Sequence, residues 1–457
     1  MADDGSLTRH EKLQLLMAVA PTALKSVLTY LYPGPIRNSW TLKYHVAFNV
    51  LRELTHRSPP SALINIRSAN ADYDPSSQHS PSILLSQKIT GMEWKKLDAK
   101  RYVTRSMRAP RDSRVVDYML ENSSESQRTA EAGLKGFDVA SSDTSACRGA
   151  GIEIEELVLA EHDNDDENLP ALLMLHGGAY VTGSIMMQRR FSCILAKRTP
   201  CRVFSINYRL SPQCEYPCAI IDAISAYVFL LEKGIPASRL VFCGDSCGGG
   251  LAFAACLAIR DAQFEGVPLP SGIVALSPWL DLSSSTASFA AAGQTDFLPY
   301  KATDPHLEKD RRTHYCPNKE LWNSYVSPLF AKSLQGLPPS LIQTGEIERL
   351  REEASIFSFR AVMTPYVFSP ANEVCQRKDT TRIQLETYQD HVHVFQQFVS
   401  LEAGKKALER CSAFIRRVAG EDGHVEPLTS QNALYGPKGE LIKIMEFNEA
   451  KGFFAKL

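Results

Sequence analysis

From residue 151 onward, short apolar runs rich in β-branched residues alternate with longer mixed segments. The runs lie at 152–160, 171–175, 202–206, 240–243, 272–276, 340–344 and 382–388, and helix-length segments at 186–198, 217–233, 247–260, 349–363 and 394–417 separate them. Short apolar strands joined by helices predict right-handed crossovers and a largely parallel sheet covered on both faces. In such a sheet reactive groups gather on loops at the carboxyl ends of the strands.

The first 150 residues read differently. Helical periodicity covers 10–32 and 39–56, where Leu13, Leu16, Met17, Ala20, Leu24, Val27, Leu28 and Leu31 recur at helical spacing. The pattern predicts an amphipathic helix or helix pair, broken near Pro21 and ended by Pro33-Gly34-Pro35. Pro21 and Lys25 make 13–32 a poor membrane span, and it lacks the form of a signal peptide. Its apolar face is expected to pack on a core, line a substrate channel or make peripheral contact with a membrane, in that order. Polar stretches at 68–82 and 121–145 read as loops. The expected organisation is therefore an N-terminal extension (1–150) supplying cap helices, a catalytic domain (151–420) and a C-terminal extension (421–457).

Composition narrows the function classes. A net charge of −1 with no basic block gives nothing to neutralise a phosphate backbone, so no nucleic-acid partner is expected. The eleven cysteines include no CxxC pair and no Cys/His ligand spacing, so neither metal nor cofactor is expected. Free, mostly buried thiols fit a reducing compartment, and an intracellular, cytoplasmic location is the expectation. Oligomeric state is not legible.

The chemistry stands at the strand ends. Leu240-Val-Phe-Cys243 runs into Gly244-Asp245-Ser246-Cys247-Gly248, and a helical segment of small residues follows. This is G-x-S-x-G between strand and helix, where a tight turn displays a nucleophilic serine and glycine on either side leaves room for crossing chains. Leu172-Leu-Met-Leu175 leads into His176-Gly177-Gly178-Ala179-Tyr180. Adjacent glycines can turn amide N–H groups toward an oxyanion; Gly177, Gly178 and the N–H of Cys247 are the expected donors. A serine also needs a base and an orienting carboxylate. Carboxylates follow the strand 341–344 at Glu346 and Glu348, and imidazoles follow 382–388 at His391 and His393. The chain order is serine, acid, histidine.

The set His176-Gly-Gly, Tyr208-Arg-Leu-Ser-Pro212, Gly244-Asp-Ser-Cys-Gly-Gly249, Ser277-Pro-Trp-Leu-Asp281, Ser327-Pro-Leu-Phe330 and Leu337-Pro-Pro339 resembles the hormone-sensitive-lipase-like branch of α/β-hydrolases, which includes fungal and bacterial esterases and arylacetamide-deacetylase-like enzymes. The resemblance spans about 165–400. It implies the α/β-hydrolase fold, a mostly parallel sheet covered by helices on both faces with a helical cap. The family's D-x-L acid falls on Glu348 of Glu348-Arg-Leu350, with glutamate replacing aspartate. Its D-x-x-H-x-F histidine falls on His393, counted from Asp390. The usual third glycine is Ala179 here, and the usual alanine after the nucleophile is Cys247.

The resemblance implies a serine hydrolase cleaving carboxylic esters of hydrophobic substrates through an acyl-enzyme, with Ser246, His393 and Glu348 as its triad. Acyl transfer or amide cleavage on the same triad is the alternative, and a non-catalytic ligand-binding protein a remoter one. Helices before the first strand and an insertion at 284–325 are implied to build the cap, with Phe289, Phe297, Leu298, Tyr300, Trp322 and Tyr325 as candidate pocket linings. Asp222 is expected to brace structure rather than take part in chemistry.

Overall fold

In the computed structural model the described residues are 9–57, 101–123, 151–163, 169–299, 311–363, 381–398, 400–420 and 429–445. Ten strands form one sheet in the order β1-β2-β4-β3-β5-β6-β7-β8-β9-β10. The strands are β1 (Tyr102–Ala109), β2 (Ile152–Leu159), β3 (Ala171–Leu175), β4 (Arg202–Asn207), β5 (Leu240–Asp245), β6 (Gly272–Leu276), β7 (Ser340–Gly345), β8 (Ile383–Tyr388), β9 (Gln431–Tyr435) and β10 (Leu441–Met445). Pairing is parallel from β4 through β3 and β5 to β9, and antiparallel at the two ends. The helices are α1 (Arg9–Leu31), α2 (Leu42–Arg57), α3 (Ser113–Glu121), α4 (Ile185–Arg198), α5 (Cys218–Glu232), α6 (Cys247–Ala262), α7 (Ala287–Ala291), α8 (Arg351–Met363) and α9 (Glu402–Ala419).

The central strands are apolar on both sides because both faces are covered. On one face, Leu173, Phe242 and Ile273 pack with Phe253 and Leu257 of α6 and Ile220 and Ile224 of α5. On the other, Leu172, Val241 and Val274 meet Phe191 and Leu195 of α4 and Phe414 and Ile415 of α9. The alternation within single strands therefore separates two cores rather than core from water, as buried parallel sheets require. Asp222, fully buried on α5, accepts from Arg111 and from the backbone and guanidinium of Arg209; it joins α5 to the loops after β1 and β4.

Three differences from the sequence pattern stand out. α1 runs unbroken through Pro21. The carbonyl deprived of its helical donor belongs to Met17, and both residues are exposed, so water can satisfy it. The terminal regions feed the sheet as well as flanking it: β1 comes from the N-terminal 150 residues and β9–β10 from beyond 421. β1 carries exposed polar positions at Thr104, Arg105 and Ser106, so no apolar run marks it. The last helix starts at 402 rather than 394, because Val394 takes a left-handed turn (φ 48°) and a short 3-10 turn follows. The stretch 68–82, most of 121–145 and Tyr300 lie outside the described residues.

Candidate active site

Strand β5 ends one residue before a backbone found in few L-residues: Ser246 has φ 53° and ψ −124°. Close packing enforces it. A Cβ on Gly244 would lie 2.4 Å from the Gly248 carbonyl, and one on Gly248 would lie 2.0 Å from the Leu175 carbonyl oxygen. Glycine is thus required at both positions by backbone crossing, as the motif implies. The serine N–H donates to the Leu276 carbonyl at 2.8 Å, and its own carbonyl accepts from Trp279 N–H at 2.9 Å. Ser246 is half-buried at the sheet's edge and heads α6.

The oxyanion loop corrects one expectation. The Gly177 N–H donates to Asp245 Oδ1 at 3.1 Å and is not free for a substrate oxygen. Glycine is needed there for approach, since a Cβ would meet the Asp245 carboxylate at 2.3 Å. Gly178 (φ 122°) keeps its N–H without a partner among the described residues. The Cys247 N–H, at the first turn of α6, has no intrahelical acceptor either. Gly178 and Cys247 are therefore the donors this geometry leaves available. The Cys247 thiol is buried and accepts the Tyr180 N–H at 3.3 Å, while burial pushes it up to about 12, a state unfit for nucleophilic work.

The acid and histidine loops meet at Ser277, a fully buried residue with φ 47°. Its hydroxyl donates to Glu348 Oε2 at 2.7 Å and accepts the N–H of Val394 at 3.0 Å. The Gly345 N–H also donates to Glu348 Oε2, at 2.9 Å. Because Ser277 sits between Leu276 and Trp279, which both bond to Ser246, one short segment ties the serine, the acid and the residue after His393 together. Sequence reasoning had Ser277 in a motif but gave it no role; no local pattern reveals a partner 71 residues away.

Among the described residues no hydrogen bond joins Glu348 to His393 or His393 to Ser246. His393 Nδ1 and Glu348 Oε1 are both buried and neither has a hydrogen-bond partner. Two orphaned atoms of complementary kind, a ring nitrogen and a carboxyl oxygen, are costly to leave unmade. Burial pushes the Glu348 carboxyl up to about 8 and the His393 imidazole down to about 3. The ring is thus an unprotonated base at neutral pH. Asp296 is also buried, pushed up to about 6 by that burial, and it accepts the N–H groups of Arg349 and Phe297.

The competitors have other duties. Glu346 Oε2 accepts the Asp390 N–H at 3.1 Å. His391 bonds the Pro437 carbonyl through Nε2 at 3.0 Å and stacks on Phe395. Asp390 itself is gripped from the N-terminal region by the Ser39 hydroxyl at 2.6 Å, the Trp40 indole N–H at its carbonyl and Arg37 at 3.5 Å. Below them Tyr44, Phe48 and Leu51 of α2 pack on Ile347, Val392 and Phe398.

α2 and the segment 287–298 are tied together. Arg52 donates to the Gly293 carbonyl and Thr55 to that of Phe297, while Arg349 donates to the carbonyls of Phe289 and Leu298. The Phe297 ring stands 5.8 Å from that of His393. Trp322 and Tyr325 instead line a cavity of about 850 Å³ with Arg260 and Asp261, at the opposite end of α6 from Ser246. They cannot serve as an acyl pocket, because a 16-residue helix separates them from the serine by about 24 Å. Among the described residues no cluster of His, Cys, Asp and Glu could hold a metal ion, and the nine described cysteines are free.

Residues 172–361 match a family model described as an alpha/beta hydrolase fold. An acetyl-hydrolase from Streptomyces hygroscopicus is 35% identical over 251 residues, which cover 55% of this chain and 76% of that protein. An arylesterase from Saccharolobus solfataricus is 31% identical, over 41% of this chain and 61% of its own length. Among solved structures, an esterase from the bacterial hormone-sensitive lipase family is 27% identical, with a TM-score of 0.53 over 80% of this chain and 98% of that one.

Proposed function

The chain belongs to the α/β-hydrolase family, among the hormone-sensitive-lipase-like esterases, and on that premise we propose that it hydrolyses hydrophobic carboxylic esters with Ser246, His393 and Glu348 as its triad. The observation that carries the assignment is the strained apex at Ser246, coupled through residues 276–279 to the Glu348 carboxylate and the Val394 amide. Strain at a polar residue is retained where the surroundings over-determine it, and such sites are usually functional.

His393, held neutral by burial, accepts the serine proton as Ser246 attacks the ester carbonyl. The oxyanion that forms rests on the N–H groups of Gly178 and Cys247, with the start of α6 adding its dipole. The imidazolium that forms is stabilised by Glu348 as its carboxylate, the form a neighbouring cation favours over the neutral acid that burial alone would hold. The alcohol leaves with the proton, and water repeats the cycle on the acyl-enzyme. Phe297 and the apolar cap beside His393 favour apolar acyl or alcohol groups over charged ones.

Ser246→Ala is expected to lower turnover of p-nitrophenyl esters on the order of 10⁶-fold. Retention of a tenth of the wild-type rate would remove Ser246 from the mechanism. A series of esters of rising acyl length should show preference for acyl chains beyond acetyl, and a flat series would remove the apolar-pocket assignment.

A further inference from the structure

The proposed catalysis leaves one face of α1 unused. Among the described residues, eleven large hydrophobic side chains are exposed, and five of them are Met17, Leu24, Leu28, Leu31 and Tyr32. At 3.6 residues per turn, Met17, Leu24, Leu28 and Leu31 fall within an arc of about 60°. Each is 59–71% exposed. The opposite side carries buried Ser26, with Thr29 bonding His45 of α2 and Tyr30 edge-on to the same ring. The stripe therefore faces away from α2 and the core, and it lines no internal channel.

Charge adds an independent constraint. From Lys12 to Arg52 the sequence has five Lys or Arg and no Asp or Glu; Arg37 is taken by Asp390 and Arg52 by the Gly293 and Gln294 carbonyls. Lys25 is exposed beside the stripe. An apolar face with an exposed lysine at its edge and no carboxylate on the 12–52 segment complements an anionic lipid surface. No helix of the described residues is long and apolar enough to cross a membrane, so such contact would lie in the plane of the surface. The same helix pair grips the histidine loop through Ser39, Trp40 and Tyr44, so the stripe stands on an element joined to the active-site loops.

We propose that α1 docks the enzyme on anionic lipid surfaces, laying Met17, Leu24, Leu28 and Leu31 into the headgroup boundary. The docking is independent of catalysis; only its use, delivery of lipid-dissolved esters, rests on the reading above.

The test is sedimentation of the full chain with vesicles of phosphatidylcholine alone or mixed with phosphatidylserine. Wild type should bind the mixed vesicles at least tenfold more tightly than the neutral ones, and added salt should weaken binding. The triple variant Leu24→Ser, Leu28→Ser, Leu31→Ser should lose at least tenfold in binding while keeping wild-type turnover of a water-soluble short-chain ester. Lys25→Glu should weaken binding only to the mixed vesicles. Ser246→Ala should bind like wild type, which separates this proposal from the catalytic one. Wild type left in the supernatant with both vesicles overturns it, as does equal binding by the triple variant. A dimer that the triple variant makes monomeric, with no vesicle binding, would assign the face to a second copy instead.

Discussion

The two halves of the active site are built by different means. The nucleophile half is local: Gly244, Ser246 and Gly248 span five residues, and backbone crossing against Leu175 leaves the chain one course. The acid–histidine half is assembled from a distance. Glu348, His393, Ser277, Asp296 and the Asp390 clamp from residues 37–40 come from separate segments, joined mainly by side-chain hydrogen bonds. Local sterics fix a geometry absolutely, whereas networks of single hydrogen bonds fix it by increments of about 1 kcal/mol. The first half should therefore fail all at once and the second by degrees.

The largest effect that sharpens this contrast separates the two glutamates. Glu348→Gln should lower kcat about 10³–10⁴-fold, as loss of the orienting charge does in a triad, while Glu346→Gln should change it less than tenfold. Equal losses in steady-state assays would mean that the acid has been misassigned. Next comes Gly248→Ala, whose methyl would sit 2.0 Å from a carbonyl oxygen. It should cost about 3 kcal/mol or more in denaturant unfolding, and a variant of normal stability would show that the elbow yields. Ser277→Ala strands Glu348 Oε2 and the Val394 amide and should reduce kcat about 10–100-fold with KM nearly unchanged. A change confined to KM would assign Ser277 to substrate binding.

The smallest effect is in pH. Burial holds His393 well below the 6.5 of free imidazole, so the ring is in its base form at neutral pH and stays so as pH falls. The acid limb of kcat/KM should lie below 6.5. A limb at or above 6.5 would mean a solvated or charge-stabilised histidine.

The same contrast explains what the sequence made legible. The seven central strands and the elbow could be read because apolar runs and a five-residue motif are local signals; observed and expected strand bounds differ by two residues at most. The choices of Glu348 over Glu346 and His393 over His391 came from motif spacing, and the partners that distinguish these residues, Ser277, Asp390 and Pro437, are remote in sequence. Gly177 looked like an oxyanion donor because nothing local announces that Asp245, inside the serine motif, claims its N–H. Trp322 and Tyr325 looked like pocket residues because sequence does not say which end of α6 they meet. β1 escaped notice for a different reason: an edge strand exposed to water at Thr104, Arg105 and Ser106 carries no apolar run.

The most direct test of the central claim is to treat the purified enzyme with a fluorophosphonate and map the adduct by peptide mass spectrometry. Wild type should carry a single adduct, on Ser246, and His393→Ala should react far more slowly. No adduct on wild type, or an adduct on any other residue with Ser246 intact, would contradict the proposal that His393 activates Ser246 at the end of β5.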